Sequence, residues 1–374
     1  MKTSEFEPGA AAAGVWRAID ASANRAGEAL RVVEDVVRFV LDDAQLTALA
    51  KDLRHTLATL LAQGALPQRV ALRDVAGDIG IGVEPPVSLR RASSADLVAA
   101  NTARAAQALR TLTECTAVVA PGAAAGFEQL RYRLYVLERG ALAAARARDR
   151  LAGISLCVLV DGRADPADFE RLMAALVEAG VRMFQIRDKA LGMPALAVRV
   201  EKAIAIVRRY AATEPALVIV NDRADVAAAV GADGVHGGAD DLPTTLTRRV
   251  IGPAALLGRT AHTLAEARAA AADGADYLGI GPCFPSATKS FGTWASPDFL
   301  RAVSAEISLP AFAIGGVTLE RLDELAALGV TRVAVAAAVT AARDPAAAAA
   351  AIIERLKQLQ AENGDGSDFP SPAY

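Results

Sequence analysis

The sequence predicts an α/β chain: a C-terminal TIM-type (β/α)8 barrel preceded by a mostly α-helical N-terminal domain. Three observations predict it. From Ile154 onward, short apolar runs alternate eight times with Ala/Leu-rich amphipathic runs, over about 200 residues, the usual size of a small barrel. Before that point the apolar spacing is helical. Polar, charged and glycine residues also follow directly on one apolar run after another. In a barrel, the carboxyl ends of all strands open on one face, so these residues would meet around one pocket.

Taken in order, the first half reads as helices over Val15–Leu41, Ala44–Gln63, Ser94–Val119 and Gly126–Ala144. It holds a weak repeat. Arg25-Ala-Gly-Glu28-Ala-Leu-Arg31 parallels Arg104-Ala-Ala-Gln107-Ala-Leu-Arg110. Asn24, Glu28, Arg31 and Asp35 share one helical face, and Arg104, Gln107, Arg110 and Glu114 do so more loosely. Two matching polar stripes predict paired helices with a charged seam. The plainer reading is a solvated face laced with i,i+3 and i,i+4 ion pairs, and composition alone favours it. The loop Leu72–Gly80 sets Arg73, Asp74 and Asp78 beside Gly77 and Gly80. The stretch Gly140–Leu151 reads as a helix continued into the linker. The expected division is a helical domain over 11–145, a barrel over 152–361 and a disordered polar tail over 362–374.

The eight strands are expected at Ile154–Val160, Arg182–Arg187, Ala216–Val220, Gly234–His236, Ala255–Gly258, Tyr277–Gly279, Ala311–Ile314 and Arg332–Ala336. Helices should follow at Pro166–Ala179, Pro194–Ala211, Asp225–Val230, Pro243–Val250, Leu264–Ala272, Pro297–Glu306, Leu319–Leu328 and Pro345–Gln360. Pro166, Pro194, Pro297 and Pro345 stand near helix starts, where a missing N–H costs nothing. Gly180, Gly231 and Gly329 stand at helix ends, where a left-handed residue closes the last turn. The competing architecture is a doubly wound sheet. Gly315-Gly316 and Ala336-Ala337 after the last two strands suit the phosphate cup of a barrel instead.

Composition excludes several classes. A net charge of −3 gives no electrostatic case for nucleic acid. No apolar run approaches the roughly 20 residues of a membrane span. The first residues lack a signal-peptide core. Cys115, Cys157 and Cys283 are odd in number and scattered, which fits a reducing, cytoplasmic setting rather than a disulfide framework or zinc site.

The barrel half carries the chemistry. Asp222 and Asp241 end two neighbouring strands, and hard carboxylate oxygens of this kind suit Mg²⁺ shared with a substrate phosphate. Arg187, Lys189 and Lys289 add positive charge at the same face. The backbone at Gly316, Ala336 and Ala337 can offer N–H groups to a phosphate. Each feature alone has a plain alternative. An Asn-Asp or Gly-Gly pair can be only a turn, and His236 and His262 can be hydrogen-bonded structural groups.

Together the motifs resemble the thiamine phosphate synthase family. The matching segments are Gln185-Ile-Arg-Asp-Lys189, Ile219-Val-Asn-Asp222, Asp233-Gly-Val-His-Gly-Gly-Ala-Asp-Asp241, Thr260-Ala-His-Thr263, Asp273–Pro282, Pro285-Ser-Ala-Thr-Lys289 and Ala313-Ile-Gly-Gly-Val317. The resemblance implies coupling of hydroxymethylpyrimidine pyrophosphate to a thiazole phosphate. It implies Asp222 and Asp241 as Mg²⁺ ligands. Gln185, Arg187, Lys189, Asn221, Thr260 and Lys289 would line the pyrimidine pyrophosphate, with Arg187, Lys189 and Lys289 stabilising the departing charge. Ser286 and Thr288, with Gly316, Ala336 and Ala337, would hold the thiazole phosphate. The chain departs from the family's usual pattern at Ala239-Asp240-Asp241 and at Ala337. The related thiazole tautomerases tend to lack the Asn-Asp pair, the second Asp and the Lys at the place of Lys189. All three are present here, which favours the synthase over an isomerase or a non-catalytic phosphate-binding barrel.

The helical half resembles the domain fused to some bacterial synthases and assigned as an alternative hydroxymethylpyrimidine phosphate kinase. The resemblance rests on Asn24-Arg25, Glu28-Ala-Leu-Arg31 and Arg73-Asp74-x-x-Gly77-Asp78. No G-x-x-x-x-G-K-[ST] loop is present. A helical dimerisation or docking domain, giving a homo-oligomer, is the alternative. On either reading the partners are small-molecule substrates. A chain starting near Ala147 is expected to fold as the barrel alone.

Overall fold

A computed structural model describes residues 10–74, 91–161, 163, 165–210, 215–285 and 294–362. The chain divides into two compact units, residues 1–145 and 146–374.

The first unit is built from α1 (Ala10–Asp35), α2 (Ala44–Leu61), α3 (Ser94–Val119) and most of α4 (Pro121–Arg150). A π turn, Val36–Val40, ends α1, and a 3-10 segment, Leu66–Leu72, follows α2. Asp43 and Ser93 cap α2 and α3 by accepting from the N–H of Leu46 and Asp96. The core is apolar: Trp16, Ile19, Leu30 and Val33 from α1, with Val98, Leu109 and Leu112 from α3, are buried.

The expected charged seam is therefore corrected. Asn24, Glu28, Arg31, Arg104, Gln107, Arg110 and Glu114 are all exposed. Arg31 pairs with Asp35 at 3.3 Å and Arg110 with Glu114 at 2.5 Å, both at i,i+4. The stripes are solvated faces because the small and branched residues between them, not the charges, fill the helix contacts. The buried charges lie elsewhere. Glu34 accepts from Arg54 Nε at 2.7 Å, and Asp20 accepts from Arg73 Nε and Nη2 at 2.6 and 3.0 Å. Arg73, read above as part of a loop motif, thus has its guanidinium engaged by Asp20. Gly77 and Asp78 lie outside the described residues.

The second unit is a closed barrel of eight strands in sequential order, every neighbouring pair parallel. This rules out the doubly wound alternative. Its elements are β1 (Leu156–Val160), α5 (Pro166–Glu178), β2 (Met183–Ile186), α6 (Met193–Tyr210), β3 (Leu217–Asn221), α7 (Ala224–Val230), β4 (Gly234–Gly237) and α8 (Thr244–Ile251). Then come β5 (Leu256–Ala261), α9 (Leu264–Ala272), β6 (Tyr277–Ile280), α10 (Pro297–Glu306), β7 (Ala311–Ile314), α11 (Leu322–Ala326), β8 (Val333–Val335), α12 (Ala337–Thr340) and α13 (Pro345–Glu362). The expected helix over Leu319–Leu328 is a 3-10 turn, Leu319–Arg321, joined to the short α11. After β8, at the Ala336-Ala337 pair expected to form part of a phosphate cup, the chain enters the single-turn α12. The tail from residue 363 lies outside the described residues.

Pleat alternation sends Cys157, Leu159, Met183, Leu217, Ile219, Leu256, Tyr277, Phe312 and Ala334 into the barrel core, joined by Ala147, Leu151 and Ile154. At the amino ends of the strands two carboxylates tie the wall together. Asp276 is fully buried; it accepts from Leu257 N at 2.7 Å and Arg248 Nη2 at 2.5 Å, and Arg146 reaches it at 3.5 Å. Asp233 accepts from Val218 N at 2.9 Å and Arg150 Nη2 at 3.1 Å. Arg146 and Leu151 are therefore part of the barrel unit, which begins at Arg146 and not at the expected residue 152.

Candidate active site at the strand carboxyl ends

Register decides which side chains meet. Asn221, His236, Gly258 and Tyr277 are successive partners across β3 to β6. They share one inward-facing row. Gly258 has to be glycine: a Cβ there would run into the Tyr277 ring and His236 Nδ1. With that space free, the two rings pack with centroids 5.4 Å apart. His236 Nε2 shares a 3.0 Å hydrogen bond with Thr260 Oγ1. Burial, helped by the nearby Arg259 and opposed by Asp241, pushes the His236 pKa down to about 4, so the ring is neutral at neutral pH. Beneath the pocket it is a packed group that orients Thr260.

Above this row lies a cavity of about 610 Å³, within the range of roughly 300–1,000 Å³ usual for small-molecule sites. Ten of the thirteen residues expected at the site line it: Gln185, Arg187, Lys189, Asn221, Asp222, Asp241, Thr260, Gly316, Ala336 and Ala337. The other three, Ser286, Thr288 and Lys289, lie outside the described residues.

Asp222 directly follows β3 in a left-handed conformation, φ 61°, one that Asp tolerates better than most residues. The turn lets its N–H donate to His236 O at 2.8 Å and brings the carboxyl toward Asp241. Asp241 closes a turn after β4 by accepting from Gly238 N at 2.7 Å. Burial raises the Asp222 pKa most, and the facing Asp241 carboxylate raises it further; Lys189 and Arg187 act against both. Lys189 Nζ lies 3.8 Å from Asp222 Oδ2. Asp188, between the two cations, plays a different part. It is buried and bonded by Arg199 at 2.7 Å and by Ala190 N at 3.2 Å, which fixes the turn carrying Lys189.

On the opposite wall, Gly315 and Gly316 have φ of 93° and 63°. A Cβ on Gly315 would lie 2.8 Å from Pro282 Cβ, and one on Gly316 would strike the carbonyls of Phe284 and Pro285. Only glycine allows this turn to pass so close to the loop after β6. Two nearby groups fall outside the expected list. His262 lines the cavity and donates from Nδ1 to Gly281 O at 2.6 Å. Arg259 packs behind the wall. His262 was visible as a strand-end residue; Arg259 carried no such signal, because pleat alternation turns it outward.

A closed parallel barrel with facing carboxylates, basic side chains and glycine-backed turns around one strand-end cavity defines the class: a (β/α)8-barrel enzyme with its pocket in the usual place. The family described as thiamine monophosphate synthase matches residues 156–339, and the ThiD2 family matches residues 17–140. A thiamine-phosphate synthase of Rhodopirellula baltica is 39% identical over 333 residues, covering 87% of this chain and 88% of the relative. One from Gloeobacter violaceus is 39% identical over 344 residues, covering 92% and 97%. Among solved structures, a thiamine phosphate pyrophosphorylase from Pyrococcus furiosus is 31% identical with a TM-score of 0.48, covering 55% of this chain and 97% of that one. The chain belongs to the thiamine-phosphate synthase family, with a ThiD2 domain ahead of the barrel. Among the described residues, no helix is long and apolar enough to cross a membrane.

Proposed function

We propose that the barrel joins 4-amino-2-methyl-5-hydroxymethylpyrimidine pyrophosphate to 4-methyl-5-(2-phosphooxyethyl)thiazole, yielding thiamine phosphate and pyrophosphate. The observation that carries this reading is Asp222 facing Asp241 in the strand-end cavity, with Lys189 and Arg187 acting on the same carboxyl. Two carboxylates pressed together at neutral pH call for a cation. Among the described residues no third His, Cys, Asp or Glu joins them. A set of two hard oxygen donors suits Mg²⁺, which commonly completes its shell with water and substrate phosphate. When bound, it would neutralise charge on the pyrophosphate.

The chain's own groups do the rest. Gln185, Asn221 and Thr260 hold the pyrimidine, with Thr260 oriented by His236 from below. Arg187, Lys189 and Lys289 stabilise the pyrophosphate as the bond between its oxygen and the pyrimidine methylene carbon breaks, the electron pair leaving with oxygen. The thiazole nitrogen lone pair forms the new C–N bond, so no protein nucleophile is required. Gly316, Ala336 and Ala337, with Ser286 and Thr288, hold the thiazole phosphate and bring the nitrogen to the methylene carbon. The test is to incubate the chain with both substrates and Mg²⁺ and assay thiamine phosphate. Formation that stops on chelation supports the reading; no product from folded protein rejects it.

The match of residues 17–140 to the ThiD2 family favours a second activity: phosphorylation of the pyrimidine monophosphate by the helical unit. Supplying pyrimidine monophosphate, ATP and thiazole phosphate to the full chain should then yield thiamine phosphate. Failure across several phosphate donors would leave a docking or dimerisation role. Small-molecule substrates are the only partners either reading requires.

A further inference from the structure

Arg259 stands where a charge is costly. It lies on β5, between the inward-facing Gly258 and Thr260, and points out through the wall; even so it is only 9% exposed. It does not line the cavity. A guanidinium in such a place is held by specific partners. Nη1 donates to Leu242 O at 3.0 Å. Register sets Arg259 opposite Gly237, and a Cβ on Gly237 would lie 2.7 Å from Arg259 Nη1 and 3.5 Å from Asp241 Cβ. Gly237, Arg259 and Asp241 are therefore packed against one another, and the missing side chain at Gly237 is what admits the guanidinium. Of the two acidic groups acting on Arg259, Asp241 acts more strongly than Asp273. The turn carrying Asp241 is thus fixed at both ends: Gly238 N donates to Asp241 Oδ2, and Arg259 and Thr247 Oγ1 donate to Leu242 O.

We propose that Arg259 is a positioning residue: from behind the barrel wall it holds the Gly238–Leu242 turn so that the Asp241 carboxylate faces Asp222 across the pocket. This rests on the reading of Asp241 as a metal ligand. Arg259 then sets metal affinity without touching substrate. Groups that orient a ligand in this way typically change metal affinity by about 10- to 100-fold when removed.

Mn²⁺ is a suitable probe, since it shares the carboxylate preference of Mg²⁺. Its binding to the full chain can be followed by electron paramagnetic resonance for wild type, Arg259→Met, Arg259→Lys and Asp241→Asn, with the folded fraction measured alongside. Arg259→Met should weaken Mn²⁺ per folded molecule about 10- to 100-fold. It should raise the Mg²⁺ needed for half-maximal turnover more than it lowers kcat at saturating Mg²⁺. Arg259→Lys, which can still donate to Leu242 O, should fall between it and wild type; if the Met variant does not fold, the Lys variant carries the test. Wild-type Mn²⁺ affinity in folded Arg259 variants, with Asp241→Asn impaired, overturns the positioning role and leaves the metal reading standing. If Asp241→Asn binds Mn²⁺ as tightly as wild type, or wild type binds none, the metal reading falls and the positioning role falls with it.

Discussion

Charged residues recur at regular places in both units, yet the two patterns come to opposite ends. In the helical unit, Asn24, Glu28 and Arg31, like Arg104, Gln107 and Arg110, are close in sequence and share a helix face, and all of them face water. In the barrel, Lys189, Asp222 and Asp241 are tens of residues apart, and they meet at one cavity. Helical spacing identifies a face and is silent on what covers it. A strand end in a closed barrel identifies a place, because every strand delivers its carboxyl end to the same rim.

The largest effect should come from breaking the barrel constellation. Asp222→Asn or Asp241→Asn should lower synthase turnover on the order of 100-fold or more while the fold survives, since Asn tolerates the left-handed φ of residue 222. The stability change should run the other way for Asp222. Its pKa is raised by burial and by Asp241. The stability it contributes is full below its ordinary pKa and is lost as pH rises through the raised value. Asp222→Asn should therefore raise the melting temperature of the metal-free protein at neutral pH. Near wild-type turnover at limiting Mg²⁺ would remove the residue from the ligand set.

A smaller effect belongs to the layer beneath. The folded His236 pKa of about 4 lies below its ordinary 6.5. The unfolded chain takes up a proton that the folded one resists, so this stability is full above the ordinary value and is lost as pH falls toward the folded one. Between about pH 7.5 and pH 5 the loss should be roughly 2 kcal/mol, read by urea unfolding. His236→Gln should show a flatter pH dependence over that window. An equally steep fall in the variant would place the acid sensitivity elsewhere.

How much of this was legible follows from the same physics. All eight strands could be read because strands buried on both faces form continuous apolar runs. The expected end of β5 fell short, at Gly258 instead of Ala261, because Arg259 and Thr260 interrupt the apolar run while remaining in the strand. The four-residue α12 has no side-chain cap and no period to detect. Asp20 and Glu34 were missed as buried groups because periodicity assigns carboxylates to the outside; their partners Arg73 and Arg54 are distant in sequence. Strand-end position picked out the cavity residues, whereas the outward-facing Arg259 became visible only through its bond to Leu242 O.

The exposed stripes should respond least. Arg110 and Glu114 are 56% and 60% exposed, and such pairs contribute about 0.3–0.5 kcal/mol. Glu114→Gln should shift the thermal midpoint by no more than about 2 °C. A loss above about 1 kcal/mol would mean that the stripe is covered by something, and the contrast between the units would narrow.

If synthase chemistry belongs to the barrel pocket alone, the barrel should work without the helical unit. A chain of residues 146–362 keeps Arg146 for the buried Asp276 and keeps Leu151 in the core. Its turnover with pyrimidine pyrophosphate, thiazole phosphate and Mg²⁺ can be measured beside that of the full chain. Turnover of the two should be equal, within about twofold, and the shortened chain should give no product when pyrimidine monophosphate and ATP replace the pyrophosphate. A shortened chain that is folded by circular dichroism yet inactive with the pyrophosphate would contradict this, because the helical unit would then be completing the synthase site.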